Sequence, residues 1–447
     1  MNGTFPLVLS VAQRSRRMSE TLTSRHCPTG RGDLLQAPVT PAVCVPVRNL
    51  KWIWAFSLFV GLILLPERFS ISFAETAPLT RSRTIPTQLT ARPGDPGRGR
   101  QIVLDRDKGD CIICHAMPLP ERQFHGTVGP PLDGIGSRST ADSLRLRLVD
   151  PKTLNSQSVM PAYSQVNGLH RVLKGYRGKP ILTAQEVEDV VAYLLTLTEM
   201  PKANEEPSPL QDRVNDRRSG YTFLSKENQQ LQNDEFANPG MLWVEKGRDL
   251  WKTGDGSTSK SCASCHEEAE KSMRGVRAHY PKFDSQRKKL ISLEQQINRC
   301  REMHLQAKPY PYESEPLLAL TTFVGFQSRG MPVNVQIDGP ARPFFEAGRD
   351  FFLRRRGQLD LACSHCHDQN AGQRLRGEVV SQGQSNGFPI YRHLWQTLGS
   401  VQRMFAWCNT AVRAEPFPYG SDEYVNLELY MAWRARGLLV ETPAVRR

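Results

Sequence analysis

Six cysteines of this sequence fall into three Cys-x-x-Cys-His motifs. The motif residues are Cys111, Cys114 and His115 in the first, Cys262, Cys265 and His266 in the second, and Cys363, Cys366 and His367 in the third. Two thiols at this spacing can add across the two vinyl groups of one haem, and the adjacent histidine then lies under the iron as an axial ligand. The motifs therefore predict three covalently bound haem c groups.

Two other uses of paired cysteines fit the sequence less well. A zinc site would require the pairs to combine into sets of four ligands. A thioredoxin-like dithiol would not need a histidine directly after each second cysteine. Because the complete motif occurs three times, we favour haem attachment.

The first motif is followed by a methionine suited to the opposite face of the iron. Met160 lies 45 residues after His115 and precedes Pro161. Ligation by histidine and methionine raises the reduction potential of a haem. Met117 is too close to His115 to reach the other face, whereas His125 and His170 remain alternatives. We predict Met160 as the sixth ligand.

Two further cysteines, Cys300 and Cys408, follow the second and third motifs by 34 and 41 residues. A thiolate can ligate haem iron, so each is a candidate sixth ligand. A disulfide between them is also possible in an oxidising compartment. Met331 and Met404 offer alternative ligands, and spacing alone leaves these possibilities open.

Each motif lies between two helical patterns, which define a repeat. The helical pattern before each motif contains a Gly-Arg step, at Gly99, Gly247 and Gly348 in the three repeats. After the three motifs, amphipathic helices are predicted over 183–197, 315–326 and 421–435, respectively. Thr183 and Ser421 are predicted N-caps. We therefore predict an all-α fold of three tandem cytochrome c-type domains. They span 93–199 (first repeat), 219–335 (second repeat) and 336–447 (third repeat), with a polar linker over 200–218.

Residues 1–74 are predicted to form an N-terminal extension that ends in a signal peptide. An apolar run over 52–65 follows Arg48 and Lys51 and precedes small residues that end at Ala74. This order is typical of a signal peptide, and the run is shorter than the ~20 residues of a membrane span. We expect cleavage after Ala74, a periplasmic protein and no stable membrane span afterwards. An uncleaved anchor is the alternative.

The net charge of the chain indicates which classes of binding partner are favoured. The formal net charge is +13, which favours anionic partners or substrates. No stripe of basic residues with interleaved aromatic residues is present, so we expect no nucleic-acid binding.

The exported part of the sequence resembles the SoxAX cytochromes of sulfur oxidation. Residues 93–199 resemble SoxX in the segments 124–130, 132–138, 160–163 and 183–191. Residues 219–447 resemble SoxA in the segments 238–244, 293–301, 327–332, 337–341, 357–361, 381–383 and 414–416. The chain thus resembles a natural SoxX–SoxA fusion whose SoxA part keeps both haem-attachment motifs.

This resemblance implies an activity and roles for the two spare cysteines. Cys300 would ligate the first SoxA haem, and Cys408 would be both the sixth ligand of the last haem and the reactive thiol. The implied enzyme is an L-cysteine S-thiosulfotransferase, which couples thiosulfate to a cysteine of the SoxYZ carrier and passes electrons to a soluble cytochrome c. The alternatives are an electron-transfer cytochrome without sulfur chemistry and a thiosulfate dehydrogenase that forms tetrathionate.

One departure from the family pattern concerns the substrate site. The family has two successive arginines about a turn before the reactive cysteine, whereas this chain has Arg403 followed by Met404. We expect Arg403 and Arg413 to bind the thiosulfate dianion, because guanidinium groups form charge-assisted hydrogen bonds with oxyanions.

Overall fold

The computed structural model describes residues 85, 87–199 and 216–447, all within the unit that spans residues 78–447. The predicted signal peptide with its cleavage site, and most of the predicted linker, lie outside the described residues. Within the described ranges, no helix is both long enough and apolar enough to span a membrane.

The first repeat is helical. Its α-helices are α1 (Pro96–Leu104), α2 (Ile135–Arg138), α3 (Ala141–Val149), α4 (Pro151–Leu154) and α5 (Ala184–Thr196), with short 3-10 helices at Cys111–Ile113 and Lys174–Tyr176. Thr183 caps α5 in a capping box with Glu186, as its sequence predicts.

The second and third repeats are mostly helical and carry short strands. The second contains α6 (Lys226–Asn233), α7 (Met241–Lys252), α8 (Ala263–His266), α9 (Ala269–Ser272), β1 (Lys282–Asp284), β2 (Lys289–Ile291), α10 (Leu293–Cys300), a π-helix (Arg301–Leu305) and α11 (Glu315–Phe326). The third contains α12 (Arg342–Leu353), α13 (Cys363–His367), β3 (Arg374–Leu375), β4 (Glu378–Val379), β5 (Ile390–Arg392), β6 (Thr397–Gly399), α14 (Val401–Ala411), α15 (Asp422–Arg434) and β7 (Ala444–Arg446). Further 3-10 helices lie at Gly220–Phe223, Val276–His279 and Gly339–Ala341.

The three predicted closing helices are confirmed as α5, α11 and α15, and a glycine of the opening helix sets each crossing. A Cβ on Gly99 would lie 1.9 Å from the carbonyl oxygen of Asp189, on Gly247 2.2 Å from that of Ala319, and on Gly348 2.1 Å from that of Asn426. Only glycine permits such an approach of two helix backbones. The Gly-Arg steps of the sequence therefore mark the helix crossings.

The structure departs from the all-α prediction in its short strands. β1 with β2 and β3 with β4 form antiparallel pairs, and β5 pairs antiparallel with β6 and parallel with β7. Strands of two or three residues are too short to show the alternation by which a strand is recognised in sequence. The β5–β6 hairpin leads directly into α14, which carries Cys408.

Each helix pair encloses a hydrophobic core. Buried side chains include Val103, Ile112, Leu182 and Val187 in the first repeat, Val244, Trp251 and Phe323 in the second, and Phe352, Tyr424, Leu427 and Leu429 in the third. Since burying a large apolar side chain contributes about 1.5–3 kcal/mol, these cores hold the motif loops in place.

Candidate functional site

The histidine of the first motif is oriented by the backbone around it. His115 Nδ1 lies 2.6 Å from the carbonyl oxygen of Pro130. A proton donated there leaves Nε2 free to bind iron, which is the usual arrangement of a metal-ligating histidine. Gly129 makes room for the ring, because a Cβ on it would lie 2.3 Å from His115 Cε1. Burial lowers the pKa of His115 and so favours the neutral ring that ligates metals.

Of the three candidate sixth ligands in the first repeat, Met160 lines the cavity that contains the motif, whereas His125 and His170 do not. His125 Nδ1 accepts a hydrogen bond from the backbone of Met117 at 3.2 Å. His170 lies at the contact with the third repeat, where its carbonyl oxygen accepts a bond from Gly357.

The third motif repeats this geometry. His367 Nδ1 lies 2.8 Å from the carbonyl oxygen of Ser381, and a Cβ on Gly383 would lie 2.8 Å from the ring carbon Cγ of His367. Cys408 projects from α14 into the cavity that the motif lines. Desolvation there raises the pKa of the Cys408 thiol to about 12, against the opposing charge of Arg392. A metal ion bound beside Cys408 would supply the positive charge that stabilises its thiolate form.

The first and third motifs open into one continuous cavity of about 2600 Å³. Single-ligand pockets usually measure about 300–1,000 Å³, so this cavity has room for more than one large cofactor. Both attachment pairs, both motif histidines, Met160 and Cys408 line it. The residues therefore fit two haem groups in a shared space.

Hydrogen bonds and a salt bridge join the first and third repeats beside this cavity. The amide of Leu173 donates to the carbonyl of Arg413, and the amide of Thr127 donates to that of Arg374, both at 2.9 Å. A salt bridge joins Arg376 to Asp110, directly before the first motif. These contacts fix the two motifs relative to one another.

The second motif lies in more open surroundings. Cys265 and His266 are exposed, and the His266 ring packs against Trp251 with centroids 5.7 Å apart. Cys300 ends α10 and accepts a hydrogen bond from Gln296 Nε2 at 3.2 Å. Burial, followed by the charge of Cys300, raises the pKa of Cys262 to about 11, so the two thiols lie within electrostatic reach. A separate cavity of about 360 Å³ adjoins Cys300 but is not lined by the motif.

The eight cysteines of the described ranges are all free. Cys300 and Cys408 line different cavities, so the structure does not pair them as a disulfide. Cys408 shares a cavity with the motif of its own repeat, whereas the cavity beside Cys300 is not lined by the second motif.

The two arginines expected to bind substrate have protein partners. Arg403 donates to the carbonyl of Leu398 at 3.1 Å, and its guanidinium carbon lies 4.4 Å from the ring centroid of Trp395. It does not line the cavity. Arg413 does line it, but its guanidinium donates to Gln358 Oε1 at 2.7 Å.

Sequence reasoning missed a third arginine. Arg392, at the end of β5, lines the same cavity as Cys408 and interacts with it electrostatically. It lies 16 residues before Cys408. The hairpin that brings it there has no clear sequence pattern.

Comparison with known proteins relates two parts of the chain to two families. The family described as "SoxA/TsdA, cytochrome c domain" matches residues 246–333, and the family described as "Cytochrome c" matches residues 97–198. The L-cysteine S-thiosulfotransferase subunit SoxA of Pseudaminobacter salicylatoxidans is 38% identical over 296 residues, which cover 66% of this chain and 100% of the relative. That of Rhodovulum sulfidophilum is 43% identical over 240 residues, which cover 54% of this chain and 84% of the relative.

A solved structure is similar to about half of the chain. The crystal structure of SoxXA from P. pantotrophus matches with 41% sequence identity and a TM-score of 0.50. The match covers 51% of this chain and 86% of that chain.

Proposed function

The chain belongs to the family of SoxA subunits of L-cysteine S-thiosulfotransferase, and from this premise we propose that it joins thiosulfate oxidatively to a cysteine thiol of the SoxYZ sulfur carrier. A sulfur–sulfur bond forms between the terminal sulfur of thiosulfate and the carrier's cysteine sulfur. The balance is S₂O₃²⁻ + R–SH → R–S–S–SO₃⁻ + H⁺ + 2e⁻. Two molecules of oxidised soluble cytochrome c take the two electrons.

The observation that carries this proposal is the position of Cys408. Its thiol shares one cavity with two haem-attachment motifs, one from each of two repeats. A sulfur placed there can meet a small anion from outside while electron acceptors lie close by. Cys408 is therefore the residue that meets thiosulfate.

We assign three haem c groups to the chain. The thiols of Cys111 and Cys114, Cys262 and Cys265, and Cys363 and Cys366 would hold them. His115 with Met160, His266 with Cys300, and His367 with Cys408 would ligate the irons. When bound, these groups supply one-electron acceptors, with the histidine–methionine site at the higher potential. The carbonyl contacts of His115 and His367 support this assignment, because they turn Nε2 of each ring toward a metal.

The proposed organisation is that of a SoxX–SoxA fusion with domains over 93–199, 219–335 and 336–447. The first domain would pass electrons onward, and the third would carry the chemistry. A signal peptide ending at Ala74 would deliver the protein to the periplasm, where the carrier and the acceptor are found. Arg413 would bind substrate from the cavity wall, whereas Arg403 would have to give up its present partners to do so.

A second candidate is a thiosulfate dehydrogenase, because the family matched over 246–333 is described by TsdA as well as SoxA. That reaction joins two thiosulfates as tetrathionate with release of two electrons, and needs no protein thiol. A plain electron carrier would perform neither reaction.

The deciding experiment is intact-mass analysis of the carrier after incubation with the holoprotein, thiosulfate and oxidised cytochrome c. We expect a thiosulfate adduct and cytochrome reduction with the wild type, and no adduct with Cys408→Ala. Cys300→Ala is the matched control, since it removes the other spare thiol and should leave adduct formation possible. Tetrathionate without an adduct would establish the dehydrogenase. Neither product would leave an electron carrier.

A further inference from the structure

The helix that carries Cys408 presents no positive charge to the cavity. Met404 precedes Cys408 by one helical turn, and both line the cavity. The next residue back, Arg403, points elsewhere on the helix, toward Trp395 and within 4.0 Å of the Glu313 carboxylate. A dianion that approaches Cys408 must therefore find its cation on another element.

Arg392, at the end of β5, provides such a cation at the cavity wall. Its guanidinium carbon lies 5.1 Å from the ring centroid of Trp407, the neighbour of Cys408, and 5.3 Å from that of Trp395. Its Nε donates to the carbonyl of Arg447 at 2.8 Å. Two indole rings and one hydrogen bond thus fix the guanidinium group at the cavity wall.

One end of this guanidinium lacks a protein partner. Arg392 Nη1 is buried and forms no hydrogen bond. A buried charged donor without an acceptor is unfavourable, so the site favours an incoming oxyanion. The carboxylate of Glu378, which also acts on Arg392, is held by Arg447 at 3.3 Å.

We propose that Arg392 binds the sulfonate group of thiosulfate, and that it supplies in this chain the cation that Met404 cannot supply. This inference rests on the proposed function. A guanidinium group binds an oxyanion through charge-assisted hydrogen bonds that an ammonium group reproduces only as a point charge. With its sulfonate held at Arg392, the dianion has its terminal sulfur free to meet a thiol.

The test is calorimetric titration of thiosulfate into the oxidised holoprotein in the absence of carrier. Arg392→Gln should weaken binding about 10- to 100-fold, as loss of a charge-assisted hydrogen bond implies. Arg349→Gln is the control, because Arg349 is exposed and does not line the cavity, and the thiosulfate affinity of this variant should stay within about twofold of the wild type. Arg392→Lys should recover part of the affinity, and Met404→Arg should restore it in the Arg392→Gln background.

Steady-state kinetics provides a second readout. Arg392→Gln should raise KM for thiosulfate and leave KM for the carrier unchanged, which a general loss of structure would not do. Met404→Arg alone should tighten thiosulfate binding, and this variant keeps the test valid if Arg392→Gln fails to fold.

Three outcomes would overturn the inference. These are wild-type affinity in Arg392→Gln, a larger loss of affinity in the control Arg349→Gln, or no thiosulfate binding by the wild type. Adduct formation on the carrier with any of these results would leave the proposed function intact. Arg392-dependent binding without an adduct would instead support the anion site and refute the transferase.

Discussion

Replacing Gly348 by alanine tests whether close helix approach shapes the third repeat. A Cβ at this position would lie 2.1 Å from the carbonyl oxygen of Asn426 and 3.0 Å from the Cβ of Tyr430, both on α15. Because the first neighbour is backbone, no side-chain rotation relieves the clash. The two helices must separate by about 1 Å, which opens the core around Phe352 and Tyr430.

The expected magnitude follows from two opposing effects. Overpacking of a close-packed core costs about 1–3 kcal/mol, and a rigid backbone contact belongs to the upper half of this range. Alanine within a helix returns about 0.5–1 kcal/mol relative to glycine. Gly348→Ala should therefore lower the free energy of unfolding by about 1–2.5 kcal/mol.

Guanidinium chloride unfolding of the holoprotein, followed by far-ultraviolet circular dichroism, measures this change. Gly175→Ala is the control, because a Cβ there meets nothing within 4 Å and should leave the midpoint unchanged or slightly raised. A Gly348→Ala protein as stable as the wild type would refute the role assigned to the glycine. If Gly99→Ala and Gly247→Ala were also as stable as the wild type, the proposed role of glycine at the helix crossing would be refuted for all three repeats.

Three further changes test other parts of the structure. Arg145 and Glu188 form a buried ion pair at 2.7 Å, so Glu188→Ala should cost about 3–5 kcal/mol in chemical unfolding, whereas the exposed Glu199→Ala should cost little. Burial and the charge of Glu294 raise the pKa of Glu428, so the folded state holds a proton that the unfolded state releases. The free energy of unfolding should therefore fall as pH rises from the ordinary carboxyl pKa through the raised value. Glu428→Gln should flatten this pH dependence, whereas the exposed Glu423→Gln should not. Gly129→Ala should displace the His115 ring and change the haem absorption of the first site, and an unchanged spectrum would show that the ring does not depend on this contact.

The helical framework was predictable because its signals are local. The closing helices have apolar residues at helical spacing, and α5 and α15 also have side-chain caps. The structure places α5, α11 and α15 within a residue or two of the predicted bounds. The short strands lacked such signals, since a strand of two or three residues shows no period.

The arginines proposed to bind substrate show which features local sequence cannot predict. The helical period alone places Arg403 and Cys408 on different faces of the helix, because residues four apart share a face and residues five apart do not. That argument identifies Met404 as the cavity-facing residue. Arg392, in contrast, reaches the cavity through the pairing of β5 with β6 and with β7, near the end of the chain. Contacts between such distant segments depend on tertiary structure, and no single stretch of sequence encodes them.

The shared cavity also has a consequence for assembly. Its two main walls come from the first and third repeats of one polypeptide, so their stoichiometry is one to one by covalent linkage. Their association is intramolecular, because residues of the same polypeptide form both walls. Dilution, which dissociates a complex of two separate chains, should therefore leave these two walls together at any protein concentration.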